Sequence, residues 1–130
     1  MGVPFSVVPL AVRRGLCTAH LALIAVLSLL PARVFPPSAT QVPGLDKVVH
    51  VLLYGVLGAL LRWTLAREGE ARPGPGWPAA AIGYGLLMEV AQLTLSGGSR
   101  SFSWADAVAN AIGVIAAWIW AGWGLSRSRE

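Results

Sequence analysis

The chain is poor in charge. Only 12% of its 130 residues are Asp, Glu, Lys or Arg, about half the share of a soluble domain. That scarcity excludes a solvated shell around an ordinary core. Cysteine is represented by Cys17 alone, so no disulfide can form within the chain. Its place in an apolar run suits a small buried hydrophobe. Acidic residues number six against ten basic ones, for a net charge of +4. The basic residues are scattered between apolar runs instead of gathering with aromatics on one face, which excludes a nucleic-acid footprint. No His-x-x-x-His pair and no second thiolate are present, so His with carboxylates is the one combination that suits a metal; neither a metal nor another cofactor is expected. Ser99, Ser101 and Ser103 lack a Gly-x-Ser-x-Gly elbow that would mark a nucleophile.

What the sequence has is hydrophobic length. Fifty-five per cent of the residues are hydrophobic, and mean hydropathy is +0.64. Four apolar runs cover about residues 16–34, 48–65, 77–95 and 105–125. Each is long enough to cross roughly 30 Å of hydrocarbon at about 1.5 Å per residue. Arg13 and Arg14 ahead of the first run resemble the start of a signal peptide. Leu30-Pro31-Ala32-Arg33 offers no small-residue cleavage site, however, so the run is read as a span. The links are short: a loop with Pro31, Pro36, Pro37 and Pro43, a solvated hinge over 67–76, and Ser96-Gly97-Gly98-Ser99. The expected fold is one all-α membrane domain over 1–130, an antiparallel up-down bundle of four transmembrane helices.

The basic residues set the expected orientation. Arg13, Arg14, Arg62, Arg67, Arg72, Arg127 and Arg129 fall on one side, and Arg33, Lys47 and Arg100 on the other, seven against three. This bias predicts both termini in the cytoplasm. Trp63, Trp77 and Trp123 then mark the inner interface and Trp104 the outer one.

Polar groups collect at one depth. Asp46, Lys47 and His50 open the second run, Glu89 and Gln92 close the third, and Asp106 and Asn110 open the fourth after Arg100. Asp46, His50 and Tyr54 recur at i, i+4 and i+8 and share a helix face that Gly58 and Arg62 continue. Glu89 lies six residues before Leu95, roughly 9 Å inside the helix end. An ionised group in hydrocarbon costs at least ~2.5–3.5 kcal/mol, so Glu89 must stay protonated or turn inward to His50, Arg100 or another donor. Ser103-Trp104-Ala105-Asp106 reads as a capping box with Asp in the third position. Asp106 also suits the helix dipole, and Asn110 an interhelical hydrogen bond. His20 and Cys17 are remote from this layer and read as structural. Ala105, Ala109, Gly113, Ala117 and Ala121 form a small-residue seam at i+4 spacing, fit for close packing within the chain or in a homodimer.

Asp46-Lys47-Val48-Val49-His50 with Tyr54 and Gly58, then Glu89-x-x-Gln92, then Ser99-Arg100, Ser103, Asp106, Asn110 and Gly113, resemble the VanZ-like membrane protein family. The match covers about residues 45–122, with three separated motifs in the right order. The Pro often found between the Gln and the Arg is missing here. The resemblance implies a small multi-spanning protein of the bacterial plasma membrane. The family's namesake is associated with low-level resistance to the lipidated glycopeptide teicoplanin.

Together these features raise the expectation of an outward-facing polar pocket for a membrane lipid or lipid-linked amphiphile of the cell envelope. His50, Glu89 and Asp106 would exchange protons, and Lys47 and Arg100 would bind an anionic group. Asp46, Tyr54, Gln92 and Asn110 would complete the lining. Two other readings stay open: acid/base hydrolysis or transfer on a lipid-linked substrate, and polar residues that only lock the helices for assembly with a partner.

Overall fold

The computed structural model describes residues 7–66 and 72–127. Arg67 and Arg129, counted above in the charge bias, lie outside the described residues, as does half of the hinge. The described chain is helical: α1 (Leu10–Leu29), a 3-10 turn (Ala32–Val34), α2 (Pro37–Gln41), α3 (Leu45–Leu65), α4 (Gly76–Leu95) and α5 (Trp104–Arg127). Four of these, α1, α3, α4 and α5, are long and apolar enough to span a membrane.

The first helix starts and ends earlier than the hydrophobic run suggests. Leu30 precedes Pro31 and is extended, with ψ 136°, because a following proline disfavours helical backbone. The chain beyond forms only the 3-10 turn. At the other end the helix runs back to Leu10, so Arg13 and Arg14 sit inside its first turns. The other spans match the expected runs to within three residues. Gly44, at φ 78°, takes the left-handed conformation that turns the proline-rich loop into α3. Gly97 and Gly98, at φ 64° and 78°, make the reversal after α4 that mirror-image turns require. The Ser99 N–H closes it onto the Ser96 carbonyl at 3.3 Å.

Cross-helix contacts fix the directions. Arg13 at the start of α1 meets Trp63 and Ala66 at the end of α3. The end of α4 meets the starts of α3 and α5 through Glu89. The spans therefore alternate up and down. The most extensive interface, however, joins the parallel pair α3 and α5 and not two chain neighbours. Glycine makes this possible. A Cβ on Gly58 would stand 2.7 Å from the Val114 carbonyl oxygen, and one on Gly113 would overlap the Val51 carbonyl and the Gly55 nitrogen. Backbones this close resemble small-residue membrane helix crossings. Below the crossing, the Arg62 guanidinium lies 4.6 Å from the Trp118 ring centre and fills the notch left by Gly122.

The core proper is small. Ile24, Tyr54, Leu57 and Val114 are fully buried. Leu52, Leu87, Leu93, Ile112 and Ile119 point outward, as lipid-facing side chains do. Two more ties bind α1: His20 Nε2 donates to the Leu53 carbonyl at 2.8 Å, and the Tyr84 hydroxyl donates to the Leu21 carbonyl at 2.7 Å. His20 and buried Cys17 thus serve packing.

The seam expected for close packing is only partly used within the chain. Ala109 and Gly113 are buried, Ala117 and Ala121 half-buried, and Ala105 exposed. Replacing Gly113 with Ala is expected to cost roughly 1–3 kcal/mol, as overpacking does. Thermal unfolding of the purified protein in detergent checks this. Gly83, with nothing among the described residues near its absent Cβ, should accept Ala without loss.

Candidate functional site

The α3–α5 crossing sets the rotation of both helices. With Gly58 pinned on Val114, the α3 face carrying His50 and Tyr54 turns inward. Tyr54 is fully buried against Gly85 of α4 and Asn110 of α5. One turn earlier His50 meets the polar groups, and Asp46 emerges at the surface. Exposure falls inward along this line: the side chains of Asp46 and Lys47 are 57% and 38% exposed, those of Asp106 and His50 14% and 12%, and that of Glu89 1%. A polar path thus leads from the end of the bundle to a buried carboxylate.

Glu89 finds a backbone donor. Its Oε2 accepts the Ser103 N–H at 3.2 Å, while the Ser103 hydroxyl accepts the Asp106 N–H at 3.2 Å. Ser103 therefore caps α5 as its sequence predicts. The reciprocal half of the capping box is supplied by Glu89 from α4 and not by Asp106 of α5. This exchange frees the Asp106 carboxylate. It pairs with the Lys47 ammonium, which also holds Asp46, and it turns Oδ2 to within 3.7 Å of His50 Nε2. Glu89 Oε1 lies 4.0 Å from His50 Nδ1. Glu89, buried, and Asp106, half-buried, thus each give one oxygen to a structural bond and turn the other toward the imidazole.

Asn110 orients that imidazole. Its Oδ1 stands 2.8 Å from His50 Nδ1, and a carbonyl oxygen only accepts, so Nδ1 carries the hydrogen. Nε2 faces Asp106. One donor atom from each of His50, Glu89 and Asp106 lies within 4.8 Å of the others.

Arg100 goes elsewhere. Its Nη1 donates to the Leu27 and Ser28 carbonyls at the end of α1, at 3.1 and 3.3 Å, and the guanidinium lies 5.6 Å from the Phe35 ring centre. It satisfies carbonyls at a helix C-terminus, where a cation is favoured. Arg13 does the same at the opposite end, on the Trp63 and Ala66 carbonyls of α3. Gln92 is buried one turn beyond Glu89, and its backbone carbonyl accepts the Ser96 hydroxyl at 2.6 Å. Ser96 also receives the Arg100 N–H at 3.1 Å, which anchors the loop to α4.

The structure therefore brings together Lys47, His50, Glu89, Asp106 and Asn110, with Tyr54 beneath them and Asp46 at the rim. Arg100 stands apart on α1. Comparisons with protein-family models, characterised proteins and solved structures return no match for this chain. The function rests on the geometry. With its carboxylates ionised the cluster sets Asp46, Glu89 and Asp106 against Lys47, a surplus of negative charge whichever form His50 takes. It can accept hydrogen bonds, exchange a proton at His50, or hold a cation. A separate apolar groove of about 230 Å³ lies at the other end of α3 and α5, lined by residues such as Trp63, Trp120 and Leu125.

Two features of the site are not legible from residue spacing. The Ser103 backbone N–H acts as the donor for Glu89, although only its side chain was legible as a cap. Ser96 ties the loop to α4, and the only signal for it is its position directly after the last helical residue. Glu89→Ala leaves the Ser103 N–H unsatisfied and is expected to cost roughly 1–3 kcal/mol. Glu89→Gln keeps an acceptor oxygen and should cost markedly less. Paired thermal unfolding of the two variants measures the difference.

Proposed function

We propose that this integral membrane protein is a VanZ-like protein of the bacterial plasma membrane, with both termini cytoplasmic. In this reading its polar cluster faces the outer leaflet and engages the polar head of a lipid-linked or otherwise amphiphilic envelope molecule. One observation carries the reading: charged side chains from three helices converge at one depth, and their exposure rises stepwise to the bundle end. Helix fastening alone has no use for that path to the surface. Lys47 and Arg100 are already engaged by carboxylates and by α1 carbonyls, so the free oxygens of Glu89 and Asp106 favour a head rich in hydroxyl or amine donors. The acyl chains would rest on the apolar sides of α3 and α5.

His50 favours a second reading. An imidazole between two carboxylates is a proton-exchanging arrangement, and acid/base hydrolysis or transfer of the bound head is the chemistry it would perform.

Binding of a fluorescent lipoglycopeptide, against its form without the acyl chain, tests the first reading in reconstituted vesicles. Wild-type protein should bind the acylated form preferentially. His50→Gln, Glu89→Gln and Asp106→Asn should each weaken binding at least tenfold with helicity and monodispersity retained. Wild-type affinity in all three variants would remove the reading. Turnover of a labelled lipid-linked sugar by purified protein, lost in His50→Gln, would establish the second.

A further inference from the structure

We infer that His50, Glu89 and Asp106 form a binding site for one first-row divalent metal ion. The inference rests on the reading that this cluster is a functional site and names its cofactor.

Three observations carry it. First, the donor set is right: one imidazole nitrogen and two carboxylate oxygens, from three different helices, within 4.8 Å of one another. Such a nitrogen–oxygen set suits zinc, iron, cobalt or manganese and leaves coordination positions for water or a ligand. Second, the ligands are already oriented. Asn110 Oδ1 takes the Nδ1 hydrogen of His50 at 2.8 Å, which is how the second ring nitrogen of a metal-bound histidine is usually held. Ser103 and Lys47 fix one oxygen of Glu89 and one of Asp106; the free Asp106 oxygen faces Nε2, while the free Glu89 oxygen lies 4.0 Å from Nδ1 and must swing toward Nε2 to join the ion. Third, acceptors outnumber cations in the arrangement, where the Lys47 ammonium is shared by Asp46 and Asp106. With Nδ1 protonated, the Nε2 lone pair faces Asp106 Oδ2 across 3.7 Å. Two acceptors meet stably there only with a proton or a metal between them. Ligands of a tetrahedral ion at ~2.0–2.1 Å stand about 3.3–3.4 Å apart, so the His50–Asp106 pair at 3.7 Å needs a closure of a few tenths of an ångström, and a pair as wide as 4.8 Å needs about 1.4 Å.

Beside this set, the fully buried Tyr54 hydroxyl and Asn110 Nδ2 have no hydrogen-bond partner among the described residues. Both side chains lie beside Gly85 of α4, on the Nδ1 side of His50.

The test uses detergent-purified full chain, stripped with a chelator and dialysed against Zn2+ or Co2+, with bound metal counted by elemental analysis. Wild-type protein should bind about one ion per chain, and Co2+ should give the visible absorption of a low-symmetry site. His50→Gln and Asp106→Asn should weaken binding at least tenfold. Gly83→Ala, which fills open space on α4 away from the set, should bind as wild type. His50→Cys keeps a ligand and should retain Co2+ while adding a thiolate charge-transfer band. That gain of signal does not depend on an inactive variant folding. Absence of saturable binding by the wild type, or binding unchanged by His50→Gln and Asp106→Asn, overturns the inference. Amphiphile binding by the stripped protein separates the two readings. Metal-free protein that binds the amphiphile at full strength and takes up no metal removes the metal and leaves the proposed function. Protein that binds metal but no amphiphile does the reverse.

Discussion

The close approach of α3 to α5 governs the rest of the molecule. Where Gly58 meets Val114, and Gly113 meets Val51 and Gly55, no side chain separates the backbones. In a membrane the hydrophobic effect does not distinguish a neighbouring helix from lipid, so van der Waals contact and hydrogen bonds must hold the bundle. A glycine crossing supplies the contact and also fixes rotation, because a turn of either helix would bring a side chain into the seam. The same rotation points His50, Tyr54 and Asn110 inward.

The polar layer follows from that register. Glu89, fully buried, takes over the capping role that Asp106 would otherwise fill in its own helix. The trade satisfies a backbone N–H at the start of α5 and leaves Asp106 for Lys47 and His50. A group of acids and one imidazole is thus held by structural bonds that each use only part of its hydrogen-bonding capacity.

Two arginines brace the bundle from opposite ends. Arg13 reaches from the start of α1 to the last carbonyls of α3, and Arg100 reaches from the loop before α5 to the last carbonyls of α1. Each places a cation on the negative end of a helix dipole. Arg100 thereby bonds α1 carbonyls and forms no ion pair with a carboxylate of the cluster among the described residues.

The apolar runs by themselves determined four spanning helices, their alternation and the depth of the polar layer, because hydrophobic length and short links allow little else. Spacing alone put His50 and Tyr54 on one face and Ser103 at a helix start. The proline at position 31 was visible, but the register of α1 was not, since a hydrophobic run does not show where a helix begins among Arg13 and Arg14. Only the tertiary structure decided which helices touch: α3 and α5 are parallel and distant in sequence, and glycine at 55, 58 and 113 states that something comes close without naming what. Only the tertiary structure gave Glu89 to Ser103, Asn110 to His50 and Arg100 to α1. Those are choices between polar partners of similar chemistry, and distance and direction settle them in a way that residue identity does not.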